Sequence, residues 1–217
     1  MRFLSSPLLW GALLTVACIA AAAPAASPAP PVILIVGDSI SAGYGLPADA
    51  SWPTLLQRRL KADNYPHQVV NASISGDTTA GGRARLDALL ARHHPSITVI
   101  ELGGNDGLRG NSVDAMRDNL DTMVQSAQKS GSKVLMVGMR MPPNYGPTYV
   151  ARFDGTFAEV SKTRKTALVP FFFEGLVSDD AMFQPDRVHP VASAQPKLLD
   201  NVWPALKPLL DATGKPR

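Results

Sequence analysis

The hydrophobic positions of this chain follow two periods in alternation. Val32-Ile33-Leu34-Ile35-Val36 is an unbroken aliphatic run, and Gln68–Asn71, Ile97–Leu102, Lys133–Val137 and the shorter Ala167–Val169 resemble it. Such runs suit strands covered on both faces, as in a parallel sheet. Between them the apolar residues recur every three or four positions, as in Trp52, Leu55, Leu56 and Leu60, then Leu86, Leu89 and Leu90, then Val113, Met116, Leu120, Met123, Val124 and Ala127. These stripes predict helices over 52–60, 79–92 and 112–129, the last with Ser112 as its N-cap and Gly131 as its stop. Two more helices are predicted over 149–166 and 192–210, with a break in the second at Pro204 and Pro208. Five strands alternate with helices and no internal repeat is visible, which predicts a doubly wound α/β sheet with helices on both faces.

The first 31 residues do not belong to that pattern. Arg2 is the only charge before Asp38, an apolar stretch runs from Leu8 to Ala17, and small residues follow from Ala20 to Ala26. This is the layout of a secretory signal. The stretch is too short for a spanning helix, which needs about 20 apolar residues. The reading is a signal peptide over 1–25, a Pro/Ala-rich linker over 26–31, one domain over 32–212 and a tail over 213–217. Cleavage after Ala25 satisfies the small-residue rule, with Ala22 as a second site; a lipoprotein signal ending at Cys18 and an uncleaved anchor are the competing readings. Export makes the protein periplasmic or secreted, with no stable membrane insertion once the signal is removed.

Composition adds mainly exclusions. The chain is 45% hydrophobic and 18% charged, with a net charge of +3. Its basic residues are scattered, which argues against nucleic acid as a partner. Cys18 is the only cysteine, so a chain processed at Ala25 has no disulfide, thiol nucleophile or cysteine-bound metal.

In a doubly wound sheet, ligands bind beyond the carboxyl ends of the strands. Gly37-Asp38-Ser39 follows the first strand, Ala72-Ser73-Ile74-Ser75-Gly76-Asp77 the second and Gly103-Gly104-Asn105-Asp106-Gly107 the third. Ser39 stands at a strand-to-helix junction, where backbone N–H groups can hold an oxyanion; many serines there are simply N-caps. Gly76 could offer a backbone N–H to a ligand, or be a turn glycine. Asn105 could donate from its side chain, or belong to an ordinary turn. His189 lies in Asp186-Arg187-Val188-His189-Pro190, and a histidine oriented by a carboxylate can take a proton from a serine. The alternative for this pair is a solvated helix-entry loop. His93 and His94 sit near a predicted helix end before Pro95, where histidine suits the dipole, and His67 has no carboxylate partner nearby in sequence.

Taken together, Gly37-Asp38-Ser39, Gly76, Gly103-x-Asn105-Asp106 and Asp186-x-x-His189 resemble the four ordered blocks of the SGNH, or GDSL, hydrolases. Asn71–Thr78, Glu101–Gly110 and Asn144-Tyr145-Gly146 resemble the periplasmic thioesterase, lysophospholipase and arylesterase branch found in Gram-negative bacteria. The resemblance implies a three-layer α/β/α, flavodoxin-like fold with a five-stranded parallel sheet. It implies Ser39 as nucleophile, His189 as base and Asp186 as its orienting partner, with an oxyanion hole made by Ser39, Gly76 and Asn105. It further implies an acyl-serine intermediate, an open and shallow site, and no metal or cofactor. The partner is then a small-molecule acyl ester or thioester, and the protein is expected to be a monomer.

Two positions depart from the pattern. Arg187 stands where the resemblance leads one to expect glycine, and Pro185 precedes Asp186. There is also no Gly-x-Ser-x-Gly, because position 41 is serine, which speaks against an α/β-hydrolase nucleophile elbow. Leu108, Met141 and Tyr145 are candidate acyl-chain contacts, with packing beneath their loops as the alternative. Two other functions remain open at this point. One is a carbohydrate acetyl esterase acting on glycans, disfavoured by the 6% aromatic content. The other is an exported lipid-binding protein without catalysis.

Overall fold

The computed structural model describes residues 29–215; the proposed signal peptide, its cleavage sites and Cys18 lie outside the described residues. The strands are β1 (Val32–Gly37), β2 (Gln68–Asn71), β3 (Ile97–Glu101), β4 (Lys133–Val137) and β5 (Ala167–Val169). They form one sheet in the order β2-β1-β3-β4-β5, with every pairing parallel. The helices are α1 (Ser39–Ala42), α2 (Trp52–Ala62), α3 (Thr79–His93), α4 (Gly104–Leu108), α5 (Val113–Lys129), α6 (Pro147–Arg164) and α7 (Gln195–Thr213).

Strand alternation assigns the two faces. Ile33 and Ile35 of β1 point to the layer made by α2 and α7, where Trp52, Leu56, Leu60, Leu198, Val202 and Leu206 are fully buried. Leu34 and Val36 point to the opposite layer of α3, α5 and α6, with Leu86, Leu120, Met123, Phe153 and Phe157. Both faces of the sheet are therefore apolar, which is why its strands read as continuous runs. Each buried aliphatic or aromatic side chain contributes roughly 1.5–3 kcal/mol relative to exposure.

Local signals explain most boundaries. The Ser112 hydroxyl accepts from the Ala115 amide and caps α5, as its position predicts. Helix α6 begins at Pro147, two residues before the expected start, because a proline at the first helical position loses no hydrogen bond. The expected break in the last helix is absent: α7 runs through Pro204 and Pro208 to Thr213. Both prolines lie on its exposed face, while Leu198, Leu199, Val202, Leu206 and Leu210 are buried on the other. Burial of that stripe outweighs the hydrogen bonds the prolines remove. No described helix is long and apolar enough to cross a membrane.

Candidate active site

The order β2-β1-β3 sets three strand ends side by side, where the sheet reverses its winding direction and crevices open. Ser39 is the first residue of α1. The N-cap is Asp38, whose Oδ1 accepts from the Ile40 amide at 3.0 Å. The serine hydroxyl is thereby released from capping and contacts His189 Nε2 at 2.8 Å. On the other side of the ring, His189 Nδ1 lies 2.7 Å from Asp186 Oδ2.

Asp186 is itself gripped by its own turn. Its Oδ1 accepts from the His189 amide at 3.0 Å and the Val188 amide at 2.9 Å. Those amide bonds, the His189 one foremost, together with the imidazole, hold the Asp186 carboxyl down at about 2. An ionised carboxylate only accepts, so Nδ1 carries the ring proton and the Nε2 lone pair faces Ser39. The loop is braced further by the Phe183–Pro190 bridge. The Gln184 side chain donates to the Tyr44 carbonyl at 2.9 Å. The Tyr44 ring covers the imidazole with centroids 4.5 Å apart.

Gly76 occupies the third position of a turn closed by the Asp77 amide donating to the Ile74 carbonyl at 3.1 Å. Its φ of +80° is what a type II turn demands there, and it favours glycine. The turn is tied down from both sides. Arg85 reaches Asp77 and the carbonyls of Ala72 and Gly37, and Arg109 donates to the Gly76 carbonyl at 2.8 Å. Asn105 sits in the one-turn helix α4, where an ordinary turn was the alternative. Its side-chain NH₂ donates to Asp38 Oδ2 at 3.1 Å. An amide nitrogen has two hydrogens, so one remains. Neither the Ser39 nor the Gly76 backbone N–H has a protein acceptor among the described residues.

Beneath this surface lies a buried polar chain that strand periodicity alone does not reveal. Trp52 Nε1 donates to Ser41 Oγ at 3.1 Å, and Ser41 Oγ donates to Glu101 Oε2 at 2.7 Å. The same carboxyl oxygen lies 3.4 Å from the Asp38 amide. Gly37 makes this possible, since a Cβ there would stand 2.7 Å from Glu101 Oε2. Burial, reinforced by the charge of Asp38, pushes the Glu101 carboxyl well above its ordinary range, toward its protonated form. Burial also raises Asp38 to about 6, against the lowering effect of the Ile40 amide, Asn105 and His189. Replacing Glu101 with alanine should leave the Ser41 hydroxyl and the Asp38 amide unpaired beside a cavity. The expected loss is about 3 kcal/mol in urea unfolding, against about 1 kcal/mol for Glu101→Gln.

These groups open onto a cleft of about 700 Å³. Of the expected acyl contacts, Leu108 and Met141 line it, the first exposed and the second buried. Tyr145 does not. It stacks on Tyr149, and its hydroxyl donates to the Leu108 carbonyl at 3.3 Å, so it supports the loop from behind. Most of the apolar wall comes instead from Met139, Phe171, Phe173, Val177 and Phe183. Phe171 and Phe173 follow β5, and the rule that ligands gather beyond strand ends applies to that strand too. His67 packs far away, its Nε2 hydrogen-bonded to the Thr213 hydroxyl at 2.9 Å, and His94 caps α3. Among the described residues no three His, Cys, Asp or Glu side chains are grouped to hold a metal.

The sequence profile of the GDSL-like Lipase/Acylhydrolase family matches residues 35–195. The chain is 52% identical over 199 residues to Esterase TesA of Pseudomonas aeruginosa, covering 92% of this chain and 99% of that protein. It is 40% identical over 179 residues to Thioesterase 1/protease 1/lysophospholipase L1 of Escherichia coli K12, covering 82% and 85% of the two chains. A crystal structure of TesA superposes with a TM-score of 0.80 at 54% identity, covering 82% of this chain and 99% of that one. The chain therefore belongs to the GDSL-like lipase/acylhydrolase family, the SGNH hydrolases, and is by that membership an acyl ester hydrolase.

Proposed function

We propose that the protein hydrolyses carboxylic esters and thioesters of small molecules through an acyl-serine intermediate, with Ser39 as nucleophile, His189 as general base and Asp186 as its orienting group. The observation that carries this reading is the pair of short contacts through one imidazole, 2.8 Å to Ser39 and 2.7 Å to Asp186. As Ser39 Oγ attacks the acyl carbon, its proton passes to His189 Nε2. The imidazolium is stabilised by Asp186, whose charge persists down to about pH 2. The carbonyl oxygen, now negative, is held by the Ser39 and Gly76 amides and the remaining Asn105 N–H. His189 then returns the proton to the leaving oxygen or sulfur, and a water activated by the same imidazole releases the acid. The steps balance without a further reactant.

The apolar wall supports recognition of the acyl chain rather than of a sugar. Each methylene buried is worth about 0.8 kcal/mol. In a series of p-nitrophenyl acyl esters, kcat/KM is expected to rise up to about fourfold per added methylene until the cleft is full. A parallel series of acyl thioesters should show the same slope. A maximum at acetyl, with acetylated glycans preferred, would overturn this assignment. The N-terminal pattern supports export to the periplasm or beyond, with a monomer acting free of the bilayer; fractionation of cells carrying the full chain tests that part.

A further inference from the structure

Among the described residues, four non-glycine residues have a positive φ: Asn64, His94, Lys165 and Arg187. Three of them end helices. Asn64 follows the cap of α2, and His94 and Lys165 are the caps of α3 and α6, where a left-handed residue closes open carbonyls. Arg187, at +58°, ends no helix. It lies inside the Asp186–His189 turn, its amide donating to the Gln184 carbonyl at 2.8 Å. This turn carries the Val188 and His189 amides that both reach Asp186 Oδ1. At a position with that φ, glycine would serve without the Cβ strain that arginine introduces.

What the arginine adds is a cation at the mouth of the cleft. Its side chain is 80% exposed, and the nearest opposite charge, Asp180 Oδ2, is 3.8 Å away and 85% exposed. That distance is too long for a hydrogen bond, so the planar donor fork remains uncommitted among the described residues. The other cation on the cleft, Arg140, is spread over the Phe171 ring at 4.6 Å. Arg187 lines the same cleft as His189, the group that protonates the leaving atom, and stands two residues from it along the chain. A guanidinium fork matches phosphate oxygens in both charge and geometry.

We infer that Arg187 is a specificity-determining residue that engages a phosphate group on the leaving-group side of the substrate. This rests on the function proposed above. Two sources share that chemistry, the headgroup of a lysophospholipid and the nucleotide phosphates of an acyl-coenzyme A.

The test uses the full-length processed protein and three substrates of one acyl chain: lysophosphatidylglycerol, the acyl-coenzyme A and the neutral p-nitrophenyl ester. The quantity read is kcat/KM for each phosphate substrate divided by that for the neutral ester. Arg187→Gln should lower this ratio about fivefold at low salt, through KM, a size set by one exposed charge pair. Arg187→Lys should retain only part of it, because the charge stays and the fork is lost, Asp180→Asn should raise it, and high salt should shrink all three differences. Arg187→Gly should lower the ratio like glutamine while raising Tm by about 2–4 °C, because it also relieves the backbone. A fall confined to the lysophospholipid identifies the headgroup, and one confined to the thioester identifies the nucleotide. Ratios unchanged by Arg187→Gln for both phosphate substrates would overturn the inference. Persistence of neutral-ester hydrolysis in Ser39→Ala would instead overturn the proposed function on which it rests.

Discussion

Ser39→Ala is expected to lower kcat about 10⁶-fold while leaving the fold intact, the largest effect predicted for any single side chain here. The hydroxyl has His189 as its hydrogen-bond partner in the structure, and it is spared from capping α1 because Asp38 performs that task. Removing it therefore deletes the attacking atom at almost no structural cost, and alanine suits the first turn of a helix. Hydrolysis of a p-nitrophenyl ester, labelling by a fluorophosphonate and a thermal unfolding curve read the three consequences together. Turnover, labelling and Tm should separate cleanly, with the first two lost and the third kept within a few degrees. A Ser39→Ala protein that turns over within tenfold of the parent would refute the nucleophile.

Asn105→Ala carries the second-largest expectation, a loss of 10²–10³ in kcat with little change in KM. The split follows from where the donor acts. An N–H directed at a carbonyl oxygen gains most when that oxygen becomes an alkoxide, so it favours the transition state over bound substrate. The structure also explains how the amide is aimed: one N–H is spent on Asp38 Oδ2 at 3.1 Å, which leaves the second directed by the first. Asp38→Asn presents an amide to an amide and disturbs that pairing. It should reduce kcat about tenfold, in the same direction and again without a matching rise in KM. A loss that falls mainly on KM for Asn105→Ala would make it a substrate-binding residue and remove it from the oxyanion hole.

The candidate site was unevenly legible in the sequence. Ser39, Gly76 and Asn105 could be grouped because each follows a strand, and strands that alternate with helices must run parallel and end on one edge. His189 and Asp186 were paired by their three-residue spacing, which one turn of loop can close. Glu101 escaped the same reading, because it is the last residue of β3 and looks like a strand end entering solvent. It is instead fully enclosed behind Ser41 and Trp52. Tyr145 shares a loop with Met141, but it stacks on Tyr149 and does not line the cleft.

By itself, the order of apolar and polar residues determined the five strands, the helices between them, their parallel arrangement and the edge on which the chemistry collects. All of these follow from local periodicity and chain connectivity. Only the tertiary structure decided the depth of Glu101 and Asp38, the passage of α7 through Pro204 and Pro208, the phenylalanines that wall the cleft and the left-handed turn at Arg187. Those outcomes depend on what distant segments bring to each residue: a neighbour that removes water, a partner that accepts a proton, or a packed face worth more than a missing hydrogen bond. No pattern along the chain encodes them, because their energies belong to contacts between elements rather than to the elements themselves.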